Sequence, residues 1–106
     1  MDLDFFKKTR ILDGGMGQEL LARGMKPNGT LWSANAIINP DYHKLLLDTH
    51  LDFIKAGAEV IVTATFTTRR NRLRDNNVED KFEYLNKKAG EIAIQVKQKF
   101  PDVLIA

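Results

Sequence analysis

The sequence predicts an α/β fold built on a parallel sheet, and two observations carry that prediction. Short runs rich in apolar and β-branched residues recur at residues 10–13, 58–66 and 103–106, and segments with apolar residues at helical spacing separate them. Strand, helix, strand, helix, strand is the order that yields parallel strands with right-handed crossovers. The second observation is that Val60, Ile61 and Val62 are continuously apolar, as in a strand covered on both faces.

Composition sets the outer limits. A chain of 106 residues, 43% hydrophobic and 28% charged, suits one small domain with a real core and is too apolar for a disordered segment. A net charge of +2 does not by itself point to nucleic acid. The absence of cysteine excludes a disulfide framework and any thiolate metal site within these residues. No apolar run approaches the roughly 20 residues that span a bilayer. The start, Met1-Asp2-Leu3-Asp4, is acidic and lacks a signal-peptide core, so a cytoplasmic protein without a membrane partner is expected.

Each element has its own local reason. Residues 2–8 can form a short helix carrying Leu3, Phe5 and Phe6. Residues 10–13 read as a short buried strand. Met16, Leu20 and Leu21 share one face of a helix that Gly24 terminates. Residues 26–30 are turn chemistry, and residues 31–38 read as a loop. Asn39 and Pro40 then open the clearest helix, as a cap and a first helical position. Its apolar face runs through Tyr42, Leu45, Leu46, Thr49, His50, Phe53 and Ile54, and Ala56-Gly57 closes it. Residues 58–66 form the second predicted strand, and residues 67–74 a polar loop running into a short helix. Val78, Phe82, Leu85, Ala89, Ile92 and Val96 step by helical intervals, with Gly90 midway implying a close neighbour and Pro101 the stop. Residues 103–106 begin a third strand.

In parallel α/β folds, ligands bind at the carboxyl ends of the strands. The first such end is Asp13-Gly14-Gly15-Met16-Gly17. An ionised Asp13 can hold an ammonium, and the following amides a carboxylate or phosphate. Equally, Asp13 can cap the helix while the glycines only make the turn. The spacing leaves both open, and Gly-Gly-x-Gly is not the dinucleotide fingerprint. The second end offers Thr63, Thr65 and Phe66, as pocket lining or as ordinary strand residues. Trp32 is either a cavity wall or a satellite core residue. His50 reads as a core histidine and His43 as a surface one. The basic cluster Arg69, Arg70, Arg72 and Arg74 reads as a solvated face.

The segment 11–20, Ile-Leu-Asp-Gly-Gly-Met-Gly-Gln-Glu-Leu, resembles the opening motif of the homocysteine S-methyltransferases. Leu31-Trp32-Ser33-Ala34, His50 and residues 56–66 continue the resemblance in order, and it runs from about Arg10 to the end. Gln18 departs from it where the family more often has threonine, at a position expected on the helix surface. The resemblance implies a TIM (β/α)8 barrel of which residues 1–106 are the amino-terminal part, about three strands of a single domain. It implies methyl transfer from a small donor to homocysteine, giving methionine, with the thiol activated by zinc on cysteines that lie beyond residue 106. By resemblance, Asp13 binds the substrate amino group, Gly14 and Gly15 lie against its amino-acid end, and Trp32, Thr63 and Phe66 line the pocket. None of these residues is a metal ligand, and no catalytic residue is assigned.

Two other readings stay open. One is a non-catalytic amino-acid-binding or interaction fragment that lacks the metal site. The other is an unrelated parallel α/β protein using Gly14 to Gly17 for phosphate.

Overall fold

A computed structural model describes residues 3–106. Asp2, part of the first expected helix, lies outside the described residues, and the helix itself is a 3-10 segment, Leu3–Lys7.

The parallel sheet is present, but it is small. Strand β1 (Val60–Ile61) pairs in parallel with β2 (Leu104–Ile105), Val60 opposite Leu104 and Ile61 opposite Ile105. The first predicted strand contributes one parallel bridge, Leu12 to Val60. The lateral order is therefore Leu12, β1, β2. The second strand is shorter than the nine residues its β-branched composition suggests. The Thr63 amide still donates to the Ala106 carbonyl at 2.8 Å, and beyond it the chain leaves the ladder as the Thr65 amide turns back onto the Thr63 carbonyl at 2.7 Å. The first strand is not buried: Ile11 and Leu12 are each 58% exposed, since β1 is its one neighbour among the described residues.

Five helices are present among the described residues: α1 (Met16–Ala22), α2 (Asn35–Ile38), α3 (His43–Lys55), which packs on β1, α4 (Arg70–Asp75), and α5 (Phe82–Lys99), which packs on β2. Three of them end alike. At Gly24, Gly57 and Asn77 the backbone takes positive φ values of 103°, 120° and 61°. In each case paired backbone bonds close the last turn, for example Gly24 to Leu21 at 3.0 Å and Met25 to Leu20 at 3.0 Å. This is the Schellman arrangement, for which glycine, and less often asparagine, is suited. Asn39 caps the turn before α3 by accepting the Asp41 amide at 3.0 Å.

Residues 31–38, expected as a loop, form a 3-10 turn (Trp32–Ala34) followed by α2. Ala34, Ala36 and Ile37 are fully buried there. Elements of three and four residues are too short to show a hydrophobic period in sequence.

The main core joins Leu20, Ala36, Ile37, Leu46, Leu73 and Leu85 with their neighbours, between the helices. A smaller cluster, Ala58, Ile61 and Val103 with Phe53, Ile54 and Phe100, backs the sheet. α5 buries Leu85, Ala89, Ile92, Ala93 and Val96, the stripe expected of an amphipathic helix. The close neighbour expected at Gly90 is absent among the described residues: a Cβ there would meet nothing within 4 Å. His43 is half-buried rather than on the surface, its Nε2 2.7 Å from the Ile37 carbonyl. No helix among the described residues is long and apolar enough to cross a membrane.

Candidate functional site

The site lies where the first two strands end. The Asp13 amide donates to the Val60 carbonyl at 3.1 Å, and its Oδ2 accepts the Val62 amide at 3.1 Å. Asp13 does not cap α1. The cap position is Gly15, and no side chain bonds the first-turn amides. Partial burial raises the Asp13 pKa, and the Val62 N–H opposes that by stabilising the charged form.

The three glycines answer to different neighbours. A Cβ on Gly14 would stand 2.9 Å from the Phe53 ring, and one on Gly17 would stand 3.1 Å from the Trp32 ring. Both positions are therefore explained by packing within the chain. Gly15 is not: its nearest atom would be Gln18 at 3.9 Å. Gly15 leaves the backbone open to an incoming group.

That opening faces a cavity of about 370 Å³ whose walls include Gly15, Gly17, Trp32, Ser33, Phe66 and Arg72. Trp32 is 43% exposed and holds a positive φ of 50°, which is uncommon for a bulky residue. It walls a second cavity as well, of about 280 Å³, with Leu21, Met25 and Pro27. Ser33 is fixed behind Trp32: its Oγ lies 3.2 Å from Thr67 Oγ1, which also accepts the Ala34 amide at 3.0 Å. Phe66 is 73% exposed, with the Arg69 guanidinium 4.8 Å from its ring centre.

Of the residues singled out in sequence, Gly15, Trp32 and Phe66 line this cavity, while Asp13, Gly14 and Thr63 stand outside its lining. Thr63 Oγ1 instead lies 3.0 Å from Thr65 Oγ1. Gln18, expected on a plain helix surface, is at the cavity wall, and so are Met16 and Thr67. Arg72, expected on a solvated face with three other arginines, is at the wall too. Helical spacing could have separated it, because Arg70 and Arg74 share a face of α4 and Arg72 does not.

The zinc implied by the resemblance finds no seat here. The chain has no cysteine, and among the described residues no group of three His, Asp or Glu side chains could hold a metal ion.

The fold and the site define a parallel α/β protein with a cavity beyond the carboxyl ends of its first two strands. The family model for homocysteine S-methyltransferase matches residues 10–106, and the chain belongs to that family. Homocysteine S-methyltransferase 2 of Zea mays is 32% identical over 91 residues, covering 85% of this chain and 26% of that protein. The selenocysteine Se-methyltransferase of Brassica oleracea var. italica is 33% identical over 94 residues, covering 87% of this chain and 26% of its own length. The metallated form of the homocysteine methyltransferase MmuM from Escherichia coli matches with a TM-score of 0.79 at 30% identity, over 98% of this chain and 39% of that one. The chain thus spans about a quarter of the length of these two curated relatives.

Proposed function

We propose that the chain is the amino-terminal part of a single TIM-barrel domain that transfers a methyl group to homocysteine, forming methionine, in the cytoplasm. Asp13 binds the substrate ammonium, Gly14 and Gly15 lie against its amino-acid end, and Trp32, Thr63 and Phe66 wall the space shared with a small methyl donor. One observation carries this reading. In a member of this family, a half-buried carboxylate stands two residues before a glycine whose open side faces a cavity. Partial burial strengthens an ammonium–carboxylate bond relative to water.

In the reaction the homocysteine sulfur, having lost its proton, attacks the donor methyl carbon. The new S–C bond forms as the bond from methyl to donor breaks, and the donor leaves with that electron pair. By resemblance, zinc activates the thiol. These residues supply none of its ligands, and no step through zinc is assigned to them. The barrel reading is supported by the parallel order Leu12, β1, β2, which suits three successive barrel strands.

Calorimetry of the chain with homocysteine tests the reading: binding is expected, and Asp13→Asn abolishes it. Equal binding to both forms overturns the role of Asp13. The second reading is a non-catalytic amino-acid-binding or interaction fragment lacking the metal site. Homocysteine binding with a chelator present, and no methyl transfer at any zinc concentration even in the longest natural form of the protein, selects it.

A further inference from the structure

We propose that Arg72 reads a carboxylate in the cavity, selecting ligands that present an anionic group there. The inference rests on the proposed function for the identity of the ligand. The four clustered arginines have different fates. Arg74 makes a fork with Glu79, at 3.0 and 3.1 Å, and Arg70 lies 3.9 Å from the same carboxylate and 4.1 Å over the Phe82 ring. Arg69 stacks on Phe66. Arg72 alone of the four lines the cavity, and it forms no ion pair among the described residues.

Its head is nevertheless held. Arg72 Nη1 donates to the Thr30 carbonyl at 2.8 Å. Asn76 ties the two ends together: its Nδ2 donates to Thr30 Oγ1 and to the Arg72 carbonyl, both at 2.9 Å, and its Oδ1 accepts the Thr30 amide at 3.2 Å. A guanidinium has five N–H donors, so one bond to Thr30 leaves a fork for a planar oxyanion. No acidic residue among those described lines the cavity. A positioned cation without a counter-charge in its own cavity is matched by a ligand carboxylate, through charge-assisted hydrogen bonds.

Homocysteine or the methyl donor can bring that carboxylate, and the experiment separates them. Trp32 is the only tryptophan and walls the cavity, so its emission reports occupancy. The chain is titrated with homocysteine and with its amino-alcohol analogue, then with trimethylammonioacetate and with choline. Within one pair, Arg72→Gln is expected to raise the Kd of the carboxylate member about tenfold or more, to the level of its alcohol, and to leave the alcohol unchanged. Arg72→Lys recovers part of the loss, and Arg74→Gln moves neither member. The affected pair names the source. Equal wild-type affinity for carboxylate and alcohol in both pairs overturns the proposal without any variant, as does an equal effect of Arg74→Gln. Homocysteine binding lost in Asp13→Asn while Arg72→Gln moves neither pair removes Arg72 alone. A carboxylate preference that depends on Arg72, with homocysteine indifferent to Asp13→Asn, keeps Arg72 and removes the reading of Asp13.

Discussion

Asp13 Oδ2 accepts the Val62 amide at 3.1 Å, so the carboxylate that ends the first strand also closes the end of the second. Glu59 does the same at the opposite end, where it accepts the Ile11 amide and the Arg10 guanidinium, each at 3.0 Å. Those bonds, the backbone one first, lower the Glu59 pKa. The two sites differ in solvation. Glu59 is stabilised in its charged form, whereas burial raises the Asp13 pKa above 3.8.

The sign for Asp13 follows from linkage. Between its unfolded pKa and its raised folded pKa the native state holds more protons, so stability falls as pH rises through that window. At neutral pH the penalty is fully present. An asparagine in place of Asp13 would keep an acceptor for Val62 without the charge. Asp13→Asn is therefore expected to melt at the same temperature or higher at neutral pH, with any advantage gone once the pH drops below the unfolded pKa, while losing homocysteine binding. Thermal unfolding at both pH values checks this, and a variant that melts well below the wild type at neutral pH contradicts it.

Gly17 and Trp32 make a second test. An alanine replacing Gly17 would stand 3.1 Å from the Trp32 ring, which is partly exposed and can yield. Gly17→Ala also gains some helix propensity, less than the roughly 1 kcal/mol of a helix interior because Gly17 is the second residue of α1. The expected outcome is unchanged or slightly higher stability together with a shifted Trp32 emission and weaker ligand binding. Unaltered emission and binding would show that the ring does not set the cavity shape.

His50 is fully buried on α3, and neither ring nitrogen has a hydrogen-bond partner among the described residues. Burial lowers its pKa from 6.5 to about 4. The unfolded chain takes up this proton first. Stability from the neutral ring is fully present above pH 6.5 and is lost as the pH falls toward 4, by a total on the order of 3 kcal/mol. His50→Leu, with similar volume and no polar atom, is expected to be more stable by about 1–3 kcal/mol at neutral pH and to flatten that acid limb. Urea unfolding from neutral to acidic pH measures both, and an unchanged limb excludes His50 as its origin.

Structure is legible in the sequence where one residue type answers to one local cause, and not where two causes share a residue. Gly24 and Gly57 are helix stops, and they were legible as such. Gly14, Gly15 and Gly17 look alike in sequence, yet Phe53 occupies the space beside Gly14, Trp32 that beside Gly17, and neither that beside Gly15. Those neighbours come from elements 15 or more residues away, which no local pattern reports. Residues 64–66 follow a segment of strand propensity but turn out of the sheet, as the Thr65 amide and hydroxyl bond back to Thr63. The long helices α3 and α5 are legible from their periodicity, whereas the short elements at residues 31–38 carry none, and the first strand is reduced to the Leu12–Val60 bridge.

Gly90 has open space where a side chain would stand. It sits in the interior of α5, an 18-residue helix, between Ala89 and Glu91, with no positive φ, and a methyl group at its Cβ position would meet no atom within 4 Å. No neighbour among the described residues opposes a side chain there, so glycine only adds backbone entropy to the unfolded chain and lowers helix propensity. Gly90→Ala is expected to stabilise the fold by about 1 kcal/mol, seen as a higher urea midpoint at unchanged slope. α5 packs Leu85, Ala89, Ile92, Ala93 and Val96 into the core and Gly90 lies beside that stripe with open space at its Cβ position, so ligand binding at Asp13 and Trp32 should not change. A loss of stability would mean that a surface from outside these residues closes over Gly90, and binding measured alongside would show whether that contact reaches the cavity.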